Sequence, residues 1–469
     1  MGAKGYFYRH FAFCANIDEK SISAHIFVLL NLNFTITASQ SRQSNSITVM
    51  NIPSMKTRAL LLCVALFMAI TAGAQATKSI QDFGVKPNNS AEQNAKNLQR
   101  AIDWAAQSGA ALYVEPVRGG YPVKSGIVLK QNVSLIGAHG PTGRGTKDPK
   151  ANAPIGSLFV ITDAEAPFLT VESSTQVRGI QFWYPEQTNT DPEKIIAYPP
   201  TIQMSQEKTV QGVTLSSLTF YGEYMAMDFR GRADNICEQI LFEHCYGYPL
   251  SGEFISIDYC YDIPRVLHCH VNPANMRLFG RSMSRAVIDK VASMKTFTYT
   301  INHTDNAQMM DIFTFGVYGG VLLGEHTYGQ LTNFNLDCVA VGILKVGGSN
   351  INRNWQIAQG SIIANIQIDS GEIHPIIIRG EGHTAISNVE AFSGLNGAIT
   401  AVGHSHDFLL VEGDKRSTIS LYGCRMRNYV WAEPLTIRNP LARVQAVACV
   451  DKDEELYNVV INPAGTNNK

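Results

Sequence analysis

The chain has 469 residues, with 38 Lys and Arg against 39 Asp and Glu and a formal net charge of −1. No basic run stands out, which argues against a nucleic-acid surface. The length exceeds one ordinary core and suits an architecture that grows by adding repeat units.

At the N-terminus, Met55-Lys56-Thr57-Arg58 opens a positive stretch, residues 59–70 are apolar, and Ala74-Gln75-Ala76 supplies small residues at a cleavage site. This pattern predicts a secretory signal peptide over 55–76 and a secreted or periplasmic protein. Cys63 lies inside the apolar run, which argues against a lipoprotein. Residues 1–54 read as an upstream-start artefact or a disordered extension, leaving 77–469 as one working domain. Seven cysteines remain there, Cys237, Cys245, Cys260, Cys269, Cys338, Cys424 and Cys449, an odd number at irregular spacing that argues against a disulfide framework.

After Ser79-Ile80-Gln81-Asp82-Phe83-Gly84-Val85, a helix is predicted over 91–107, with Leu98, Ile102 and Ala105 on one face. Ser108-Gly109 stops it. Strands are predicted at 111–115, 121–123, 127–129 and 132–137. Residues 139–156 are rich in Gly, Pro, Lys and Asn and read as a loop. No strand-to-helix context makes its Gly140–Thr146 stretch a phosphate cradle.

From there a spacing recurs: apolar, two others, apolar, one other, apolar. It fits Val177/Ile180/Phe182, Leu215/Leu218/Phe220, Cys237/Ile240/Phe242 and Val266/Cys269/Val271. It returns at Leu331/Phe334/Leu336, Ile363/Ile366/Ile368 and Leu421/Cys424/Met426. A repeat length in the twenties indicates a solenoid, whose coils bury their apolar faces by stacking. The last two apolar positions alternate, as in a short strand. The fold predicted is therefore all-β, a single-stranded parallel β-helix with an N-terminal capping helix. A second strand follows each repeat, at 224–229, 253–259, 320–325, 341–346, 375–379 and 398–402.

The stretch from Ser79 to Ala138, containing "SIQDFGVKPN", "AIDWAAQSGAALYVEP" and "SGIVLKQNVSLIGA", resembles the opening of the pectate-lyase-like superfamily. That resemblance implies a right-handed β-helix. The superfamily holds glycoside hydrolases, polysaccharide lyases and phage tailspikes, and some of its members are trimers, so a homotrimer is an expectation here. The acidic "GDG…DD" run usual after the opening strand is here Lys86-Pro87-Asn88-Asn89-Ser90. The motif is specific for fold and weak for reaction.

Asp228, Asp258, Glu325, Lys345 and Arg379 fall near the ends of the second strands, where stacking predicts a column of ionisable groups on one face. Asp228 and Asp258 follow what read as consecutive coils. A separation of about 5 Å would suit a retaining glycosidase, one acid protonated and the other ionised. Asp262 is an alternative catalytic acid. Arg230, Glu253, Tyr259, Arg265, His268, His270 and Glu325 are expected to bind substrate. His268 and His270 flank Cys269, and such a pair alone is weak support for a metal. Trp183 and Tyr184, with Tyr198 and Tyr221, are expected to form an aromatic platform for sugar rings.

The reading that follows is a secreted enzyme that cleaves glycosidic bonds of a polysaccharide or oligosaccharide without a cofactor. No nucleic-acid partner and no membrane span are expected. The alternatives are a lyase holding Ca²⁺ with acids such as Asp228, Asp258 and Asp262 and using Arg265 or Lys345 as base, or a non-catalytic carbohydrate-binding β-helix.

Overall fold

The structure, a computed structural model, describes residues 77–138, 155–276, 283–347, 354–368, 371–391, 403–427 and 429–463. The predicted leader, the segment before it and the loop through residue 154 lie outside the described residues. Ser79 and Asp82 form a reciprocal capping box around a short 3-10 turn at Ile80–Phe83. Helix α1, Ala91–Ser108, starts at the Ser90 cap and ends at Gly109, which takes a left-handed φ of 61°. Its buried face, Leu98, Ala101, Ile102 and Ala105, lies against Ala111–Val114, Tyr121–Pro122 and Ile127–Leu129, the strands of the first coil.

Eleven short strands, one per coil among the described residues, pair in parallel and in chain order from Ile127–Leu129 to Leu435–Ile437. A larger sheet wraps the rest of each coil as two strips joined by a corner. The arrangement is a parallel β-helix, as the spacing predicts.

The corner explains the spacing. Between the first and second apolar positions the chain bends through one left-handed residue: Gly179, Ser217, His244, His268, Asp311, Asn333, Gln359, Asn388, Gly423 and Ala448, with φ between 51° and 69°. The bend lets the apolar residue before it and those after it all face the core. Gly, Asn, Asp and His tolerate this conformation best, and they dominate the column. In the next inward column Phe182 stacks on Phe220 at 5.2 Å.

Two copies of the repeat are corrected by the register. Leu215 pairs with Phe242, so the true copy is Phe242-x-x-Cys245-x-Gly247. Cys237 instead belongs to a separate strip made by Val210–Gln211, Cys237–Glu238 and Cys260–Tyr261, which supplies its own inward residue. Likewise Leu331 and Leu336 pair with Ile357 and Ile362, not with Ile363 and Ile368. A run of isoleucines satisfies several registers, so pattern alone does not choose among them. The strand expected at 398–402 lies outside the described residues, and the eleven-stranded sheet takes Leu409–Val411 at that coil. All seven cysteines are buried and unbridged. Among the described residues, no helix is long and apolar enough to cross a membrane.

Lys345 departs most from expectation. It lies in the inward column with Leu323 and Ile378, is 0% exposed, and donates from Nζ to the Glu381 carbonyl at 2.7 Å. The strand was expected to present it outward, but Ile343 and Lys345 share the core-facing parity. Burial lowers its pKa to about 8, against the pull of Glu381 and Glu325. An unfolded lysine keeps its proton to about 10.4, so between these values the unfolded state binds more protons and stability rises with pH. Below pH 8 both states are protonated and the full burial cost stands. Lys345→Met should therefore be more stable than wild type by about 2–3 kcal/mol at pH 7, an advantage that fades to nothing near pH 10.5. Urea unfolding of both proteins across that range checks it; a constant difference would contradict the assignment.

Candidate functional site

On the eleven-stranded sheet, Met227, Phe229, Ile255 and Ile257 are buried in the core, which turns Asp228, Arg230, Ser256 and Asp258 to the outer face. The two strands are neighbours, so the acids do come from consecutive coils. Their register, however, pairs Asp228 with Ser256 and Arg230 with Asp258. The acids are thus two residues out of step, about 8 Å apart at Cα rather than directly stacked. This corrects the expected 5 Å pair.

Arg230 fills the offset. Its Nε donates to Asp228 Oδ1 and its Nη2 to Oδ2, each at 2.8 Å, so the pair is bidentate. The Arg230 backbone N–H adds a third bond to Oδ1 at 3.1 Å. Asp228 is only 6% exposed. Nη1 of the same guanidinium lies 3.8 Å from Glu253 Oε2. One cation therefore spans two acids, whose carboxylates lie no more than about 9 Å apart, a span in which paired carboxylates act on glycosidic bonds. Burial raises the Glu253 pKa; Arg230 opposes this and Asp228 adds to it. The Glu253 side chain is 26% exposed, so it remains reachable. Ser256, opposite Asp228, is buried with no hydrogen-bond partner for its Oγ.

Asp258 has a different set of partners. Its Oδ1 accepts the Tyr259 N–H at 2.8 Å and lies 2.9 Å from His303 Nδ1, while Asn302 Nδ2 donates to Oδ2 at 3.2 Å. The His303 ring is stacked between Tyr259 (4.4 Å) and His326 (5.1 Å). These three follow the strand ends in successive coils, all at positive φ. A carboxylate that accepts Nδ1–H leaves Nε2 of His303 as the basic nitrogen. Glu325 joins this group through its N–H to Asn302 Oδ1 at 2.7 Å.

Asp228, Arg230, Glu253, Asp258, Tyr259 and Glu325 are thus brought onto one side of the solenoid. The other expected site residues are not. Asp262 bonds to Gln239 on the preceding coil. Arg265 and His270 lie on strands of the larger sheet and His268 at the corner between them, where it stacks on His244 and bonds Asp311. Tyr184, Tyr198 and Tyr221 are buried and form no platform. The Tyr184 hydroxyl bonds Thr201 and its ring packs on Tyr198 beneath their own loop. Trp183 ends a strand of the larger sheet, half-buried and paired with Tyr221. The expected column of ionisable groups is broken, with Lys345 inward and Arg379 paired to Glu412 at 2.6 Å.

Asn302 and His303 were not singled out from sequence, although "INHTD" puts an amide and an imidazole just past a strand of isoleucine and threonine. His374 and Asp407 likewise carry no sequence spacing that joins them. They form a buried pair at 2.8 Å at the start of His374–Ile378, too enclosed to meet substrate. Among the described residues, no group of three or more His, Cys, Asp or Glu is placed to hold a metal ion.

Fold and register together define a parallel β-helix. Among solved structures, the chain is similar to a tailspike of an Acinetobacter phage at 10% identity, covering 84% of this chain and 65% of the tailspike with a TM-score of 0.50. It is also similar to the A-module of a mannuronan C-5 epimerase from Azotobacter vinelandii (12% identity, 80% of this chain, 98% of that one, TM-score 0.44). An exopolygalacturonase from Thermotoga maritima gives 11% identity, 82% and 94% coverage and a TM-score of 0.40. At these identities the likeness concerns the fold. No protein-family model matches the chain, and none of the curated proteins matches it significantly.

Proposed function

We propose that the protein is a carbohydrate-active enzyme that hydrolyses glycosidic bonds on the outer face of the eleven-stranded sheet. The observation that carries this reading is Arg230 held between Asp228 and Glu253, an accessible acid with a raised pKa beside a carboxylate fixed by three hydrogen bonds. Paired acids in unlike environments can divide the roles of proton donor and ionised partner. In this reading Glu253 protonates the leaving oxygen, Asp228 is the ionised partner, and Asp258 with His303 and Asn302 holds the sugar alongside. Export and a polysaccharide or oligosaccharide substrate belong to the same proposal.

The lyase alternative has less support. A lyase needs a base in the groove, and burial keeps Lys345 inside the core. Arg265 lies on the other sheet, and pairing with Asp228 raises the pKa of Arg230 further, making it a poorer base. The test is an activity screen of residues 77–469 on a polysaccharide panel with and without EDTA, following reducing ends and ultraviolet absorbance. Reducing ends that appear with no absorbance and no effect of EDTA are expected. Absorbance that depends on Ca²⁺ would overturn the hydrolase reading in favour of a lyase.

A further inference from the structure

The larger sheet, which carries neither Asp228 nor Glu253, has its own outward aromatic column. Tyr246, His270 and Phe313 are paired in register, with ring centroids 5.2 Å and 4.4 Å apart. Beyond Phe313 the column changes character. Its next members are Asn335, Ser361 and Glu390, so the stack of rings ends against two short side chains. A cavity of about 580 Å³ opens there, lined by His270 and Phe313 towards one end and by Glu390 at the other. Three strand spacings separate Phe313 from Glu390, about 14 Å.

The second bank is the left-handed corner itself. Asp311, Asn333, Gln359 and Asn388 line the cavity from successive coils. Asp311 is positioned by His268, whose Nδ1 lies 2.8 Å away and whose ring stacks on His244 at 4.7 Å. Glu390 is held by Arg427 and lies 3.6 Å from Arg425. The acids at the two ends are thus fixed before anything binds.

We propose that this cavity is a second carbohydrate-binding site, for an uncharged oligosaccharide. An aromatic ring at the end of a stack offers an apolar surface to the apolar face of a sugar. The amides of Asn333, Asn335, Gln359 and Asn388 both donate and accept, and the two carboxylates accept, which matches the mixed demand of hydroxyl groups. The size falls within that of ordinary small-molecule sites. No Lys or Arg lines the cavity, and the two arginines beyond it, Arg425 and Arg427, are taken up by Glu390, so nothing is placed to receive the charge of a uronate or sulfated chain. The site stands on its own geometry and does not depend on the reaction assigned to Glu253.

Titration calorimetry of the purified protein with cello-, manno- and xylo-oligosaccharides, and with oligogalacturonate as the acidic probe, tests it. At least one uncharged probe is expected to bind. Phe313→Ala, which removes the ring, and Ser361→Tyr, which fills the cavity from a surface position, should each weaken it about tenfold or more. Glu253→Gln and Asp258→Asn should leave that affinity unchanged. Loss in those two with retention in Ser361→Tyr would place the sugar in the reaction groove and overturn the proposal. Binding of oligogalacturonate alone, or of no probe, would overturn it as well.

Discussion

Glu253→Gln is expected to lower kcat by about 10²–10⁴-fold with little change in KM. Glutamine keeps the shape of the side chain and its distance from Arg230 but has no proton to give. The loss should therefore depend on the leaving group, being large for a sugar alkoxide and small for an aryl glycoside that departs unaided. The pH profile provides a second reading. Burial raises the Glu253 pKa, so the acid stays protonated above the usual carboxylate range and activity falls as pH climbs through the raised value. That alkaline limb should vanish in the variant. Full activity in Glu253→Gln on every substrate would remove Glu253 from the mechanism and leave the Asp258–His303 group as the place to look for the acid.

The second large effect concerns stability. Glu223 is fully buried, where Gly247 replaces the phenylalanine of the preceding coils. A side chain at Gly247 would collide with it, since a Cβ there would lie 2.3 Å from Glu223 Oε1. Oε1 accepts the Tyr248 N–H at 2.7 Å, and Oε2 is buried without a partner. Burial raises the pKa to about 8 against the help of these backbone bonds. In the unfolded chain the group ionises near 4.3, so from there to pH 8 the folded state holds a proton the unfolded state has released. Stability is greatest below the unfolded pKa and is lost as pH rises to 8. Glu223→Gln keeps the acceptor for Tyr248 and never ionises. Its advantage over wild type should be near zero at pH 4, about 3 kcal/mol at pH 7, and larger above pH 8. Denaturant midpoints at those pH values measure it, and an advantage independent of pH would show that Glu223 does not titrate in this way.

The sequence was legible where a physical rule left one solution. The recurring apolar spacing and the β-branched residues together require stacked coils, and Ser90 and Gly109 mark both ends of α1. Register was less legible, because Cys237 and the isoleucines near 363 fit the pattern at more than one offset. That ambiguity carried into the site. Asp228 and Asp258 were seen, but the two-residue offset that admits Arg230 depends on loop lengths between coils. The inward Lys345 is not legible because lysine is almost never core, and its chain position gives no hint of the Glu381 carbonyl that receives it. The partners of Asp258, Asn302 and His303, come from the next coil, after an insertion that includes a helix at Arg285–Ser293, so no local spacing joins them.

The column of left-handed bends also makes the coil a unit of exchange. Asp311 precedes Ile312 in the same conformation in which Asn333 precedes Phe334, with both following residues entering the core. A segment beginning just after one bend and ending at the next can be removed or duplicated without turning any retained side chain from inside to outside. Length in this fold is therefore a variable counted in whole coils. The outer face of the eleven-stranded sheet and the cavity beside Phe313 can each change reach along the axis by that same step.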